Sequence, residues 1–302
     1  MHDTAPFFSV VIPTYNSLNF LKLALQSVLV QTDKDFEVLV IDNTSQDGTK
    51  EFIGNIIDER VRYFEVINDG VIGFSRNVGI ENATGEWVCF LDADDLWYPE
   101  KLAHVRDVSK KEKNAILVGH NEYFVYENGI KKLRKSQPSC LNVEESLLRY
   151  GSCLMTSAVS IRRDVALRLG GFSEHREFVT AEDYEFWIRL SREGVFYFLD
   201  EILGEWRFHG ENTSSNNISI HAKASVAVGL HHLDIWKKSN KSRKWVNREI
   251  ESRIYSTGSH AYISGALFLP ARKLAIKSVF LAPFRWKAWA VLLLSLIRFR
   301  VK

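Results

Sequence analysis

The chain has 302 residues, 46% of them apolar and 25% charged, with a formal net charge of +2. That length builds one large domain or a domain with an appendage, and so small a net charge excludes a nucleic-acid binder working by bulk positive charge. The cysteines Cys89, Cys140 and Cys153 are far apart and form no C-x-x-C pair, which excludes a disulfide framework and a thiolate zinc site and fits a reducing compartment.

The opening stretch, "MHDTAPFFSVVIPTYN", has no basic segment followed by an apolar run. It does not read as a signal peptide, and a cytoplasmic protein is expected. "FFSVVIP" is a buried β-branched strand, and "LNFLKLALQSVLVQ" carries Leu18, Leu21, Leu25 and Leu29 at helical spacing. "FEVLVID" follows as a second strand, "SQDGTKEFIGNII" as a helix opening on Ser45, and "VRYFEVI" as a third strand. "GFSRNVGIENA" is a third helix and "GEWVCFLD" a fourth strand. Such alternation predicts an α/β fold with a largely parallel sheet, whose ligands gather beyond the carboxyl ends of the strands. Those ends carry Thr14, Tyr15 and Asn16, then Asp42, then Asp92, Asp94 and Asp95. Neither G-x-G-x-x-G nor G-x-x-x-x-G-K-[ST] follows the first strand, so a dinucleotide or Walker-type phosphate site is unsupported.

Between Ala115 and Phe208 the texture is mixed. Short strands are expected in "AILVGH", "EYFVYENG", "SAVSIRR" and "FYFLD", and helices near Val143–Tyr150 and Glu182–Glu193. From His221 onward the chain reads as helical throughout, so the expected division is a first domain over 1–220 and a helical region over 221–302. No acid follows Glu251, and the last stretch mixes Trp, Phe and Leu with basic residues. Its longest uncharged run, Ala288–Ile297, falls short of the ~20 apolar residues that span a bilayer. Two readings stay open: basic amphipathic helices making peripheral contact with an anionic membrane, or a cap whose apolar side packs on the rest of the protein.

The acidic segment "CFLDADDLWYP" carries the most chemistry. In an extended segment Asp92 and Asp94 point the same way and present two carboxylates to one place. Hard oxygens at a strand end suit Mg²⁺ or Mn²⁺, which keep positions open for substrate phosphates. The plainer reading is a capping cluster, since "DDLWYPEKL" runs into a helix with Pro99 near its first turn. Capping needs one acid and the segment has three, which favours the metal. In "TAEDYEFWIRL", Thr180 and Asp183 fit a capping box. Trp187 and Leu190 nonetheless share the Asp183 face, which turns that acid inward.

Taken in order, "SVVIPTYN", "VLVIDNTSQDGT", "GFSRNVGIENATGEWVCFLDADDLWYPEKL", "TAEDYEFWIRL" and "RFHGENTS" resemble the inverting family 2 glycosyltransferases of the GT-A fold, over roughly residues 7 to 215. The resemblance implies a Rossmann-like mixed, mostly parallel sheet flanked by helices, here with a C-terminal helical extension after the catalytic domain. It places Thr14, Tyr15 and Asn16 at the base and ribose of a nucleotide, with Asp42 on the uracil ring N–H and Arg76 near the base and the acidic motif. It makes Asp94 the direct ligand of a divalent metal, Mn²⁺ or Mg²⁺, with Asp92 on the ribose or the metal. Asp183 becomes the general base and Glu182 an orienting group for the acceptor or its loop. His209 matches a position that often completes the metal or diphosphate site, and Arg207 either contacts the diphosphate or pairs with an acid. Where many members carry a second acid after the second strand, this chain has Asn43, which loosens the inference to uridine.

The expected activity is therefore non-processive, inverting transfer of one sugar from a nucleotide donor, a UDP-sugar first, to an acceptor hydroxyl. A glycan or lipid-linked acceptor in cell-surface polysaccharide or glycolipid assembly fits the basic C-terminal stretch. The Q-x-x-R-W motif and multiple spans of processive polymerases are missing from the sequence. Two alternatives are weighed against this: a nucleotidyltransferase, for which "PTYNSLNFLK" offers only Lys22, and a non-catalytic nucleotide-sugar-binding partner subunit.

Overall fold

The computed structural model describes residues 5–138, 142–209 and 217–298. Cys140 and the Gly210–Ser214 part of the "RFHGENTS" motif lie outside the described residues. The chain divides into two compact units interleaved along the sequence: Met1–Gln137, Cys153–Ser173 and Arg189–His209 form the first, and Pro138–Ser152, Glu174–Ile188 and Gly210–Lys302 the second.

Among the described residues, the first unit is built on a nine-stranded sheet. Strands β1 (Phe8–Thr14) and β2 (Phe36–Asp42) are buried at every residue, as expected of parallel strands covered on both faces. With β3 (Val61–Glu65) and β4 (Trp87–Phe90) they give the parallel order β3-β2-β1-β4. Thr14, Asp42 and Glu65 are paired in one row, so the carboxyl ends of these strands finish level. Helices α1 (Leu18–Leu29), α2 (Thr49–Gly54) and α3 (Ile72–Asn82) make the crossovers. Helix α3 lies tight on the sheet: a Cβ on Gly79 would come within 2.3 Å of Val11, so only glycine lets the helix approach so closely. The acid Glu37 is buried within β2 and accepts bonds from Ser9 Oγ, the Thr84 amide and hydroxyl, and Arg62. Burial alone would raise its pKa, yet these donors outweigh it and hold the carboxyl below its ordinary value.

After β4 the sheet becomes mixed. The two-residue β5 (Leu96–Trp97) precedes α4 (Lys101–Lys111), so Pro99 stands in the short link between strand and helix. "AILVGH" and "EYFVYENG" are not two strands but one, β6 (Ala115–Val125), irregular in register between Gly119 and Asn121. It pairs with β7 (Lys131–Arg134), with β8 (Val159–Arg162) and, in parallel, with β9 (Val195–Arg207). A short helix, α6 (Arg163–Arg168), follows β8. Helix α2 starts at Thr49 behind a left-handed Gly48, rather than at Ser45, whose hydroxyl is used elsewhere.

The second unit is helical. It comprises α5 (Val143–Tyr150), the greater part of α7 (Glu182–Leu190), α8 (Ile218–Ser239), α9 (Lys244–Ser264), α10 (Phe268–Leu281) and α11 (Trp286–Leu296). Asn142 caps α5 by accepting from the Glu145 amide at 2.7 Å. Arg243 grips Glu145 through two bonds of 2.7 and 2.9 Å, the bidentate geometry that a guanidinium favours. Tyr184 donates to the buried Leu147 carbonyl at 3.0 Å, which also accepts the Gly151 amide that closes α5 at 2.8 Å.

Candidate active site

Two clusters stand at the carboxyl edge of the first unit's sheet. At the ends of β1 and β2, Asp42 is 1% exposed and Thr14 6%, whereas Tyr15 is 59% exposed. The Asp42 carboxylate accepts from the Ser45 amide at 3.1 Å, the Ser45 hydroxyl at 2.5 Å and the Tyr63 hydroxyl at 2.7 Å. Burial and these contacts with Asp42 push the Tyr63 phenol up. The Asn16 amide donates to Ser45 Oγ at 2.8 Å, while its side-chain oxygen accepts from the Gln46 amide at 2.8 Å. Asn16 holds a left-handed φ of 45°, a conformation asparagine tolerates better than most residues. Asn43, standing where a second acid was expected, accepts from the Asn68 amide at 2.9 Å. The Thr14–Asn16 loop is therefore fastened to the β2 end through a relay: amide to serine hydroxyl to buried carboxylate.

The same device recurs after β4. The Asp92 amide donates to Ser157 Oγ at 3.1 Å, and Ser157 Oγ donates to Asp95 Oδ2 at 2.5 Å. Asp95 is 1% exposed. Its other oxygen accepts from the Arg207 amide at 3.2 Å, and its own amide closes a turn on the Asp92 carbonyl at 3.0 Å. Burial, and then Asp94, Glu122 and Asp92, push the Asp95 carboxyl well up. Asp95 thus serves as the buried anchor of the acidic loop, while Asp92 and Asp94 turn to other partners. Asp92 is paired with Arg76 of α3 at 2.8 Å; that guanidinium lies 5.3 Å from the Phe172 ring centroid. Asp94 meets His209 Nε2 at 2.9 Å through Oδ2, and its carbonyl accepts from Arg207 Nε at 2.6 Å. Phe20 of α1 stacks on His209 with centroids 4.5 Å apart, fixing the ring plane. Burial first, and the neighbouring Asp92 second, push the Asp94 carboxyl up.

These residues fit a divalent cation. A carboxylate oxygen and an imidazole nitrogen already stand side by side at Asp94 and His209, and a positive charge there would relieve the electrostatic pressure on Asp94. Among the described residues no group of three or more His, Cys, Asp and Glu side chains is arranged to hold a metal. Few protein ligands, with substrate phosphates supplying the rest, is how Mg²⁺ and related ions are commonly held.

Glu182 and Asp183 open α7 in the second unit. Glu182 is 5% exposed, Asp183 is half-buried, and Trp187 and Leu190 on the Asp183 face are fully buried. The capping box does not form. Thr180 takes a left-handed φ of 75°, and its buried Oγ1 has no hydrogen-bond partner. A β-branched residue in that region is strained. The turn is held instead by His221 at the start of α8, whose Nδ1–H donates to the Thr180 carbonyl at 2.9 Å. Deeper in the unit, His232 of α8 meets Glu185 of α7 at 3.3 Å.

The structure thus gathers Asp92, Asp94, His209 and Arg76 into one cluster, and Thr14, Asn16 and Asp42 into another on the same sheet edge; Glu182 and Asp183 share one helical turn. Tyr63, Phe20 and Ser157 were not legible as site residues, since each reaches its partner across the fold, and Ser45, although three residues from Asp42, shows its task only through the Asn16 amide 29 residues back. Asp95 carried a signal, the third acid of the cluster, but that excess did not reveal its anchoring task.

A sequence profile described as glycosyl transferase family 2 matches residues 9–167. An uncharacterised glycosyltransferase of Rickettsia bellii is 32% identical over 235 residues, covering 74% of this chain and 33% of the relative; the match thus takes in about a third of that longer protein. The chain is also 23% identical, over 74% of its length and 88% of the relative, to the Escherichia coli UDP-Glc:alpha-D-GlcNAc-diphosphoundecaprenol beta-1,3-glucosyltransferase WfaP. In fold it is similar to Staphylococcus aureus TarS residues 1–349, solved in complex with UDP-GlcNAc, with a TM-score of 0.67 and 18% identity over 95% of this chain and 90% of that one.

Proposed function

The chain belongs to glycosyl transferase family 2, and from that premise we propose that it transfers one sugar, with inversion, from a nucleotide donor to an acceptor hydroxyl. The donor is a UDP-sugar. Thr14, Tyr15, Asn16 and Asp42 take the nucleoside, and Arg76 steadies Asp92 beside the ribose. Because Asp42 is buried behind three donors, its part at the base is to offer a remaining lone pair rather than an open carboxylate. Asp94, with Asp92 and His209, would hold a divalent cation, Mn²⁺ or Mg²⁺, which when bound would neutralise charge on the departing diphosphate.

Asp183 removes the proton from the acceptor hydroxyl, and Glu182 orients the acceptor. The hydroxyl oxygen attacks the anomeric carbon from the side opposite the diphosphate, the glycosidic C–O bond breaks, and the nucleoside diphosphate leaves. One displacement inverts the configuration without a covalent sugar–enzyme intermediate. The acceptor is a glycan or lipid-linked glycan of a cell-surface polymer, and the basic C-terminal helices bring the protein into peripheral contact with the membrane.

The observation that carries this reading is the pairing of Asp94 with His209 beside the Asp92–Arg76 ion pair at the sheet edge. Its test is a thermal-shift panel of UDP, GDP, CDP and dTDP, with and without Mn²⁺, on the wild-type protein and Asp94→Ala. A ligand at a hundred times its dissociation constant stabilises the fold by about 2.7 kcal/mol. A manganese-dependent shift with UDP that disappears in Asp94→Ala is the expected result. The same shift in Asp94→Ala removes the metal assignment, and a shift with GDP alone replaces the donor.

A further inference from the structure

Helices α10 and α11 are turned inside out for a water-soluble protein. Their fully buried positions are small: Ala271, Ala275, Ser278, Ala288 and Ser295 are 0% exposed and Val291 3%, with Leu274, Leu292 and Leu294 only partly buried beside them. Their outward positions include large apolar side chains, Phe280 80%, Trp286 70% and Leu293 60% exposed, and Phe284 in the link between them is 99% exposed. An amphipathic helix in water buries the large apolar side chains and exposes the polar ones. These two expose the large apolar side chains together with Lys273, Lys277 and Lys287.

Their packing follows the same inversion. Ser252 of α9 and Ser278 of α10 exchange hydroxyl-to-carbonyl bonds of 2.9 and 2.7 Å, and Ser259 donates to the Ala271 carbonyl at 2.6 Å. Arg272 of α10 reaches the Ser295 carbonyl of α11 at 3.0 Å. Small residues and interhelical serine bonds are how helices associate where the surroundings are as apolar as the side chains. The Trp289 indole N–H is satisfied by the Pro283 carbonyl at 2.8 Å, so that donor needs no water.

We propose that α10 and α11 form a hairpin lying in the interface of an anionic lipid bilayer, with Phe280, Phe284, Trp286, Trp289 and Leu293 among the acyl chains and Lys273, Lys277 and Lys287 at the phosphates. The lengths fit an in-plane hairpin. At 14 and 11 residues the helices are about 21 and 17 Å long, short of the ~30 Å hydrocarbon core, and no described helix is long and apolar enough to cross a membrane. Charge selects the occupant. After Glu251 the chain carries nine lysines and arginines and no acid, which draws it to anionic headgroups. A second copy would bring like charges together. The proposal rests on the reading of the C-terminal helices as the membrane-contacting part and on no step of the catalytic reading.

The test uses the full chain with vesicles of phosphatidylcholine, with or without phosphatidylglycerol, some carrying brominated acyl chains. The protein is expected to float with phosphatidylglycerol vesicles only, and bromine is expected to quench its tryptophan emission. Replacing both Trp286 and Trp289 by Phe should leave flotation intact and remove most of the quenching, although the chain holds eight tryptophans. Replacing Lys273, Lys277 and Lys287 by Ala should weaken binding on the order of a hundredfold. Flotation without quenching overturns insertion while sparing surface contact, and no flotation overturns both. Light scattering supplies the remaining outcome: if Phe280→Ser with Phe284→Ser turns a dimer into a monomer and leaves flotation unchanged, the face belongs to a second copy and the proposal falls. A protein that floats but shows no nucleotide-dependent thermal shift leaves this inference standing and removes the catalytic one.

Discussion

Large apolar side chains fill the fully buried positions of the first unit, and small ones fill those of the last two helices of the second. Trp87, Phe8, Phe90 and Leu39 are at most 1% exposed, while Ala271, Ala275 and Ser278 occupy the equivalent depth in α10 and Phe284 stands almost fully outside. A sheet surrounded by water is stabilised by removing apolar area from that water, at about 25 cal/mol per Å². Helices that meet another apolar medium gain little from hiding large side chains, and close approach with interhelical hydrogen bonds takes over. Helical periodicity alone therefore does not say which stripe faces inward.

The polar groups differ in the same sense. In the first unit they form relays that end on buried carboxylates, Asp42 and Asp95, and hold loops in place. In the C-terminal helices they are serine hydroxyls spent on carbonyls of neighbouring helices. The sharpest way to separate holding from reacting is Asp183→Asn, which keeps the side chain's size but removes the carboxylate proposed as the base. With it, kcat is expected to fall about 10²–10⁴-fold, while the nucleotide-dependent thermal shift of the first unit is unchanged. An equal loss of nucleotide binding would make Asp183 a binding group, and an unchanged kcat would remove it from the chemistry.

A smaller effect tests the relay itself. Ser157→Ala leaves the Asp92 amide and one oxygen of the buried Asp95 without their shared hydroxyl, and an unsatisfied buried group costs about 1–3 kcal/mol. Ser278→Ala removes a hydroxyl that bonds the Ser252 carbonyl, and a typical hydrogen bond of this kind contributes about 0.5–1.5 kcal/mol. Denaturant melts of the two variants should therefore rank Ser157→Ala as the more damaging. The reverse order would mean that the acidic loop is held by Arg207 and the Asp92–Asp95 turn rather than by Ser157.

The strands β1 to β4 were legible because each is a β-branched or aromatic run bounded by turn residues, and their buried ends placed the acids. The acidic cluster was legible for a related reason: three acids closing a buried strand demand an explanation. Ser157 was not, since its partners are 65 and 62 residues away and nothing local marks it. Thr180 misled in the opposite way. T-x-x-D is a good local capping pattern, but His221, brought back by α8 from 41 residues downstream, holds the Thr180 carbonyl in a turn where the hydroxyl caps nothing. Strand β6 was split in two because its irregular register near His120 breaks the alternation that marks a strand.

The smallest expected effect bears most directly on the comparison between the two packings. Phe284 is 99% exposed, so in aqueous buffer Phe284→Ser removes no buried area, and the unfolding free energy should stay within about 0.5 kcal/mol of the wild type. A buried counterpart such as Leu39→Ala, at a position 0% exposed, is expected to cost about 2–5 kcal/mol. The ranking should persist when anionic vesicles are added, but Phe284→Ser should then lose part of the stabilisation that vesicle binding confers on the wild type, because a ligand of the folded state stabilises in proportion to its affinity. A Phe284→Ser protein that is several kcal/mol less stable in plain buffer would place that ring in an interior, and the inverted packing of α10 and α11 would no longer need a lipid to explain it.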